Sequence, residues 1–183
     1  MPVPKAILKE QLQQLSKQEL VDVVLKLSGK RYNYEFLLVN FLDPEGGEQI
    51  LFEEAKVDVY NLFYKPSSGR TIQHQLAKKL NRCTKRIKEF TVETKSKKLE
   101  ADLILYVLEL QFAQDLRVFG AHFSGYDYKV ALLLKKLISV VTKKLHPDYF
   151  VDYQEQINDF LNKIHYTSNR INTVYDLPQE IGE

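Results

Sequence analysis

Cysteine is nearly absent from this sequence: Cys83 is the only one among 183 residues. A single cysteine excludes an intramolecular disulfide and a zinc site built from several cysteine ligands, and it suits a reducing compartment. Tryptophan is missing altogether, and the chain has only seven Gly and six Pro. So few helix-breaking residues, several of them at apparent ends of elements, are typical of helices joined by short connections.

Long hydrophobic runs are also lacking. The longest, residues 103–108, is far shorter than the roughly 20 residues that span a bilayer. Near the N-terminus, Lys9 and Glu10 interrupt the apolar residues that a signal peptide would need as an unbroken segment. We therefore expect a soluble protein in the cytoplasm, without membrane contact.

Apolar residues recur at helical spacing along most of the chain, and no convincing strand alternation is present. Ser16 and Glu19 have the spacing of a capping box, which predicts the start of a helix. A longer helix begins near Thr71, and its apolar residues form one narrow stripe of Ile72, Leu76, Leu80, Cys83, Ile87 and Phe90. We predict an all-α fold of seven to nine helices, arranged as an irregular multi-helical bundle or a short α-solenoid-like superhelix.

One domain is expected over residues 1–183, with an ordered core at about 4–166 and a tail at 167–183. The tail is mostly polar. Its apolar residues are expected to dock against the body, namely Ile171, Val174, Tyr175 and Leu177.

A sixth helix is predicted from residue 99 to about Phe119. The run at 103–108 is apolar around the whole circumference of a helix, so this helix should be enclosed by neighbouring helices, with Leu105 at its centre. A strand is the alternative for that run. Asp102 and Glu109, seven residues apart, share one face. They form either a buried acid–base pair or, as we favour, a solvent-facing or cation-paired edge.

Positive charge is concentrated in one segment, although the whole chain carries only +2. Residues 70–98 contain ten Lys and Arg but only two Glu, which leaves +8. On the helix that begins near Thr71, the candidate phosphate or partner contacts are Lys78, Arg82, Lys85 and Arg86. Such a row can neutralise phosphates and release counterions. The alternative, which we favour, is a solvated face paired with acidic neighbours such as Glu53, Glu54 and Asp58.

The same stretch resembles a helix-turn-helix motif over about twenty residues. The resemblance is carried by Gln73, Leu76, Ala77, Leu80 and Ile87. Asn81 replaces the glycine of the turn, and Arg82 replaces the apolar residue that should follow it. A cation cannot enter the small core between two such helices. One uninterrupted helix also accounts for Cys83 and Phe90, so we prefer it.

Signatures of catalysis and of metal binding are missing. The four histidines, His74, His122, His146 and His165, are scattered without metal-ligand spacing, which leaves only a metal site assembled by the fold. The sequence has no nucleophile elbow and no phosphate-binding glycine loop. We therefore assign no catalytic, cofactor-binding or metal-binding residue, and expect Cys83 to be an inert buried thiol.

Most of the 21 aromatic residues lie at helical core spacing. Tyr126, Tyr128 and Tyr149 are less easily buried together, and they either line a groove or cover the surface beside a turn.

The segment around Ser16–Glu19 and the order of the later helices resemble small all-helical bacterial proteins that are grouped as domains of unknown function. That resemblance implies an all-helical fold and no particular activity. We therefore expect a non-enzymatic helical interaction or scaffold module that binds a protein partner, because helical arrays present grooves without catalytic motifs. The alternative is nucleic-acid binding through the basic helix at residues 70–90.

Overall fold

The computed structural model describes residues 4–120, 125–168 and 176–182. Within these ranges it contains eight α-helices and no strand, and helix accounts for 79% of the described residues. The predicted all-α fold is confirmed.

The α-helices are α1 (Lys5–Gln13), α2 (Lys17–Ser28), α3 (Arg31–Leu37), α4 (Gly47–Tyr64), α5 (Ile72–Glu93), α6 (Lys97–Phe112), α7 (Tyr126–Lys144) and α8 (Phe150–Thr167). A π-helical turn, Leu38–Leu42, follows α3, and two 3-10 turns lie at Leu116–Val118 and Pro147–Tyr149.

The contacts between residues fall into two compact units, Met1–Gly47 and Glu48–Glu183. We call them the N-terminal unit and the C-terminal unit. The expectation of one domain over the whole chain stays a prediction.

The N-terminal unit begins its second helix with the predicted capping box. Ser16 Oγ accepts a hydrogen bond from the Glu19 backbone N–H at 3.3 Å, and the Ser16 backbone N–H donates to the Glu19 carboxylate at 2.8 Å. These reciprocal bonds satisfy N–H groups that a helix start leaves unpaired. The pKa of Glu19 is lowered first by the Ser16 hydroxyl, which donates to its carboxylate at 2.7 Å, and then by the Ser16 backbone N–H. Gly29 is the C-cap residue of α2.

The C-terminal unit has α6 at its centre, packed against α5 and α7, while α7 also packs against α5 and α8. The stripe of α5 is buried from Leu76 to Phe90, and Phe90 meets Phe52 of α4 with ring centroids 6.3 Å apart. Cys83 is fully buried beside the Val59 carbonyl, so the predicted burial of this thiol is confirmed.

The sixth helix is shorter and less enclosed than predicted. It ends at Phe112, because Asp115 accepts a hydrogen bond from the Arg117 backbone N–H and starts a 3-10 turn. Phe119 is buried outside the helix, with its ring 5.4 Å from that of Phe112. Leu105 is only partly buried, whereas Ile104 is fully buried. The idea that Leu105 is enclosed is therefore wrong: one side of α6 is partly open.

The tail docks through the two apolar residues that can be described. Leu177 and Ile181 are buried. The Ile181 backbone N–H donates to Asn158 Oδ1 at 2.8 Å, and its carbonyl accepts from Asn158 Nδ2 at 3.2 Å and from Gln154 at 3.1 Å. Docking is thus confirmed for Leu177, while Ile171, Val174 and Tyr175 lie outside the described residues.

Candidate interaction groove

The basic helix α5 is one uninterrupted helix from Ile72 to Glu93, as we preferred over two helices. Thr71 caps its start by accepting a hydrogen bond from the His74 backbone N–H at 3.3 Å. Because the apolar stripe faces the core, the cations between its members point away from the core or along its edge.

Two of the four predicted contact residues are drawn into the protein. Arg86 is buried and donates from Nε to the Asp58 carboxylate of α4 at 2.8 Å. The alternative in which these cations pair with acidic neighbours is thus confirmed for Arg86. Arg82 is partly buried, and its Nη1 is buried without a hydrogen-bond partner among the described residues.

The other two predicted residues are exposed, but each contacts another group of the protein. Lys78 donates to the Ser68 carbonyl at 2.8 Å in the loop before α5. Lys85 has its Nζ 3.8 Å from the Glu89 carboxylate one turn later. The four residues therefore do not form one continuous row of free cations, which weakens the case for a phosphate-tracking surface on α5 alone.

A groove of about 310 Å³ lies between α5 and α7. We call it the α5–α7 groove, and it is lined by Asn81, Thr84, Tyr128, Lys129, Leu132, Leu133 and Lys136. Of the two interpretations offered for Tyr128, the groove-lining one is therefore confirmed, whereas Tyr126 is fully buried and forms part of the core.

Helical spacing explains how α7 builds its side of the groove. Tyr128, Leu132 and Lys136 follow one another at intervals of four, so they lie along one edge of the helix. Leu133 is buried and closes the floor, while Tyr128 and Leu132 remain 46% and 45% exposed. An exposed leucine and an exposed tyrosine beside two lysines make this surface amphipathic.

Hydrogen bonds hold the two lysines of the groove in place. Lys129 Nζ donates to Asn81 Oδ1 of α5 at 2.6 Å. Lys136 Nζ lies 2.9 Å from the carboxylate of Glu100, which Lys97 also contacts at 2.8 Å. Burial alone would raise the pKa of Glu100, but the hydrogen bonds from Lys136 and Lys97 outweigh burial, so its pKa is lowered. The Glu100 cluster keeps one positive charge, and Lys129 adds another.

The carboxylates Asp102 and Glu109 are held by different partners. Asp102 accepts from the Tyr153 hydroxyl at 2.5 Å and lies 2.9 Å from Lys98 Nζ. Glu109 is exposed and accepts from Gln156 at 2.7 Å. Burial of Tyr153 and its hydrogen bond to Asp102 raise the tyrosine pKa. These contacts favour the cation-paired and solvent-facing interpretation over an acid–base pair.

Two exposed tyrosines form a second surface, on α4. Tyr60 and Tyr64 are exposed, with ring centroids 4.5 Å apart. Lys56 Nζ lies 5.5 Å from the ring centroids of both Phe52 and Tyr106. This internal cation therefore already contacts the rings of Phe52 and Tyr106.

Metal ligands are not brought together in the part of the chain that the structure describes: it contains no group of three or more His, Cys, Asp or Glu suited to an ion. His122 lies outside the described residues.

Among the described helices, none is long and apolar enough to cross a membrane.

Comparison with protein-family models, with curated proteins and with solved structures finds no match for this chain. The function of the α5–α7 groove is therefore inferred from its chemistry alone.

Proposed function

We propose that this protein is a non-enzymatic interaction module that binds an acidic, amphipathic helical segment of a partner protein in the α5–α7 groove. The observation that carries the proposal is that two half-exposed side chains with large apolar surface, Tyr128 and Leu132, line the same groove as Lys129 and Lys136.

Apolar side chains of the groove decide the kind of occupant. A helix laid into a groove is held by side chains at intervals of three and four residues, which enter apolar pockets. Leu132 and the buried floor at Leu133 offer such contacts. Tyrosine supplies large contact area at a low cost in conformational entropy.

The lysines of the groove decide the charge of the occupant. Each internal pair leaves net positive charge, because Lys129 bonds a neutral amide and two lysines share the single carboxylate of Glu100. Glutamate or aspartate at the flanks of a partner helix would complement that charge. Complementary charge speeds association and disfavours basic partners.

Nucleic-acid binding is the second candidate, and one observation favours it: Tyr128 lies beside lysines and could stack on a base. Three observations favour the protein partner instead. Arg86 is buried against Asp58, and Lys78 bonds the Ser68 carbonyl. The groove floor is moreover aliphatic, which a phosphate backbone does not require.

Selection from a random peptide library displayed on phage tests the proposal, with the full chain as bait. We expect enriched peptides to combine acidic residues with leucine-like residues at helical spacing. Their affinity, measured by fluorescence anisotropy, should fall at least about tenfold for Leu132→Asp, as expected for a central contact worth about 1.4 kcal/mol.

The matched control is Val151→Asp on α8, because Val151 is 75% exposed and lies outside the groove. It should bind the selected peptides as the wild type does. Enrichment of basic peptides, or equal loss in both variants, would contradict the proposal. Tight binding of a mixed-sequence single-stranded RNA that is lost on Tyr128→Ala would establish the second candidate instead.

We also propose that this interaction module acts in the cytoplasm.

A further inference from the structure

The N-terminal unit leaves the apolar faces of its first two helices uncovered. Neither α1 nor α2 buries a single residue. On α2, Leu20, Val23, Val24 and Leu27 share one stripe at helical spacing, and Leu27 is 56% exposed. Helices of this length are marginal in water unless an apolar face is packed. Something is therefore expected to cover this stripe.

Shallow grooves extend the apolar surface on both sides of α2. One, of about 350 Å³, is lined by Leu8, Leu12 and Leu20, with Lys5, Lys9 and Gln13 of α1 at its polar edge. The other, of about 290 Å³, is lined by Val24 and Leu27 together with residues around Phe36. The stripe and its two grooves form one surface across α1, α2 and α3, which we call the α2 surface. A contiguous apolar surface of this kind marks an interaction site.

The charge of the N-terminal unit argues against a membrane as the occupant. Residues 4–47 contain six Lys and Arg and six Asp and Glu, so the unit is neutral. Helices that lie on anionic membranes carry an excess of Lys and Arg on their polar face. A neutral unit instead allows two copies of the same surface to meet without net repulsion.

The order of charges on α2 indicates how two copies would meet. Glu19 in the first turn and Lys26 in the last turn are seven residues apart, so they lie on the same flank of the apolar stripe. When two such helices pair antiparallel, each Glu19 faces the Lys26 of the other copy. Parallel pairing would instead place this flank against the opposite flank of the other copy, so Glu19 and Lys26 would not meet. About an axis at Val23 and Val24, Leu20 lies level with Leu27 of the other copy. Glu19 then lies two residues, about 3 Å along the helix axis, from the level of Lys26 of the other copy, an offset that two long side chains can span.

We propose that the α2 surface binds a second copy of this chain, with the two α2 helices antiparallel about a two-fold axis near Val23 and Val24. Such an isologous contact buries the same patch on both copies. Each Leu20 then packs against the Leu27 of the other copy, and the two Glu19–Lys26 pairs flank the contact.

Sedimentation velocity on the full chain over a dilution series tests the association. The wild type should sediment as a dimer that dissociates on dilution. Leu27→Asp should be monomeric at every concentration at which the wild type is a dimer. Val151→Asp places the same charge on an exposed residue of α8 and should remain dimeric. Circular dichroism of Leu27→Asp separates loss of association from loss of helix.

Disulfide trapping tests the orientation, and the buried Cys83 can stay in place. Leu20→Cys and Leu27→Cys chains should cross-link rapidly when mixed, and slowly or not at all when each is oxidised alone. Cross-linking of each variant with itself would show a parallel pair and overturn the proposal. A wild type that is monomeric throughout, a dimer unchanged by Leu27→Asp, or binding of the wild type to phosphatidylserine vesicles would also overturn it.

Discussion

Replacing Glu100 by Gln tests how the protein holds one lysine of the groove. The Glu100 side chain is only 5% exposed, and its two oxygens contact Lys136 at 2.9 Å and Lys97 at 2.8 Å. Glu100→Gln keeps the shape and removes the charge. A hydrogen bond to a charged group contributes about 1.5–3 kcal/mol. Because the lysines are 42% and 40% exposed, solvent screening reduces each contribution to about 1 kcal/mol.

We therefore expect Glu100→Gln to lower the free energy of unfolding by about 2 kcal/mol at neutral pH. For a chain of this size, that corresponds to a fall in Tm of about 4–8 °C. Urea unfolding followed by circular dichroism measures the difference. The control is Glu109→Gln, since Glu109 is exposed and accepts one hydrogen bond, from Gln156. Its effect should stay within about 0.5 kcal/mol.

The pH dependence of that difference gives a sharper test. The folded protein lowers the pKa of Glu100 below its ordinary value of 4.5, so the unfolded chain takes up this proton first as the pH falls. The stabilisation by Glu100 is fully present above that ordinary value and is lost as the pH falls through the folded-state pKa. The difference in free energy of unfolding between the wild type and Glu100→Gln should therefore disappear over the same pH range. If the difference in free energy of unfolding persists in acid, or is absent at neutral pH, the charge of Glu100 does not stabilise the fold through Lys97 and Lys136.

Three further predictions concern the buried parts of the C-terminal unit. Burial raises the pKa of the Cys83 thiol to about 12, so a thiol reagent in mildly alkaline native buffer should label it far more slowly than in denaturant. Ile104→Ala should cost about 2–5 kcal/mol in urea unfolding, and Leu105→Ala clearly less, because Leu105 is only partly buried; equal losses would contradict the open side of α6. Tyr153→Phe should cost about 1–3 kcal/mol, measured in the same way, because it leaves a carboxylate oxygen without its donor.

Local signals made the helices predictable from the sequence. Ser16 and Glu19 form the capping box that their spacing predicts, and Thr71 caps α5. The end of α6 was not predictable in this way, because apolar residues continue to Phe119 after the helix stops at Phe112. A periodic pattern reports which residues are buried, and a loop residue can be buried as well as a helical one.

The groove was only half predictable, because its two sides lie far apart in the sequence. Asn81 and Lys129 are 48 residues apart and meet only through the packing of α7 on α5. A local pattern can place Leu132 and Lys136 on one edge of α7, but it cannot show that this edge lines a groove together with Thr84 of α5. Asp58 is among the acidic neighbours that the sequence predicts for these cations, but only the packing of α4 shows that Arg86 is the residue it pairs with.

The magnitudes of these contacts favour a protein partner over nucleic acid. Two lysines that neutralise two phosphates of a single strand would give a slope of about −1.4 for the logarithm of affinity against the logarithm of salt. Such a site loses most of its affinity at physiological ionic strength unless stacking compensates, and Tyr128 is the single aromatic residue among those that line the groove. Leu132 and Leu133 contribute apolar burial that salt does not screen, at about 25 cal/mol per Å². Affinity that survives high salt and is lost with Leu132→Asp therefore assigns the groove to an amphipathic segment, whereas affinity that disappears with salt assigns it to a polyanion.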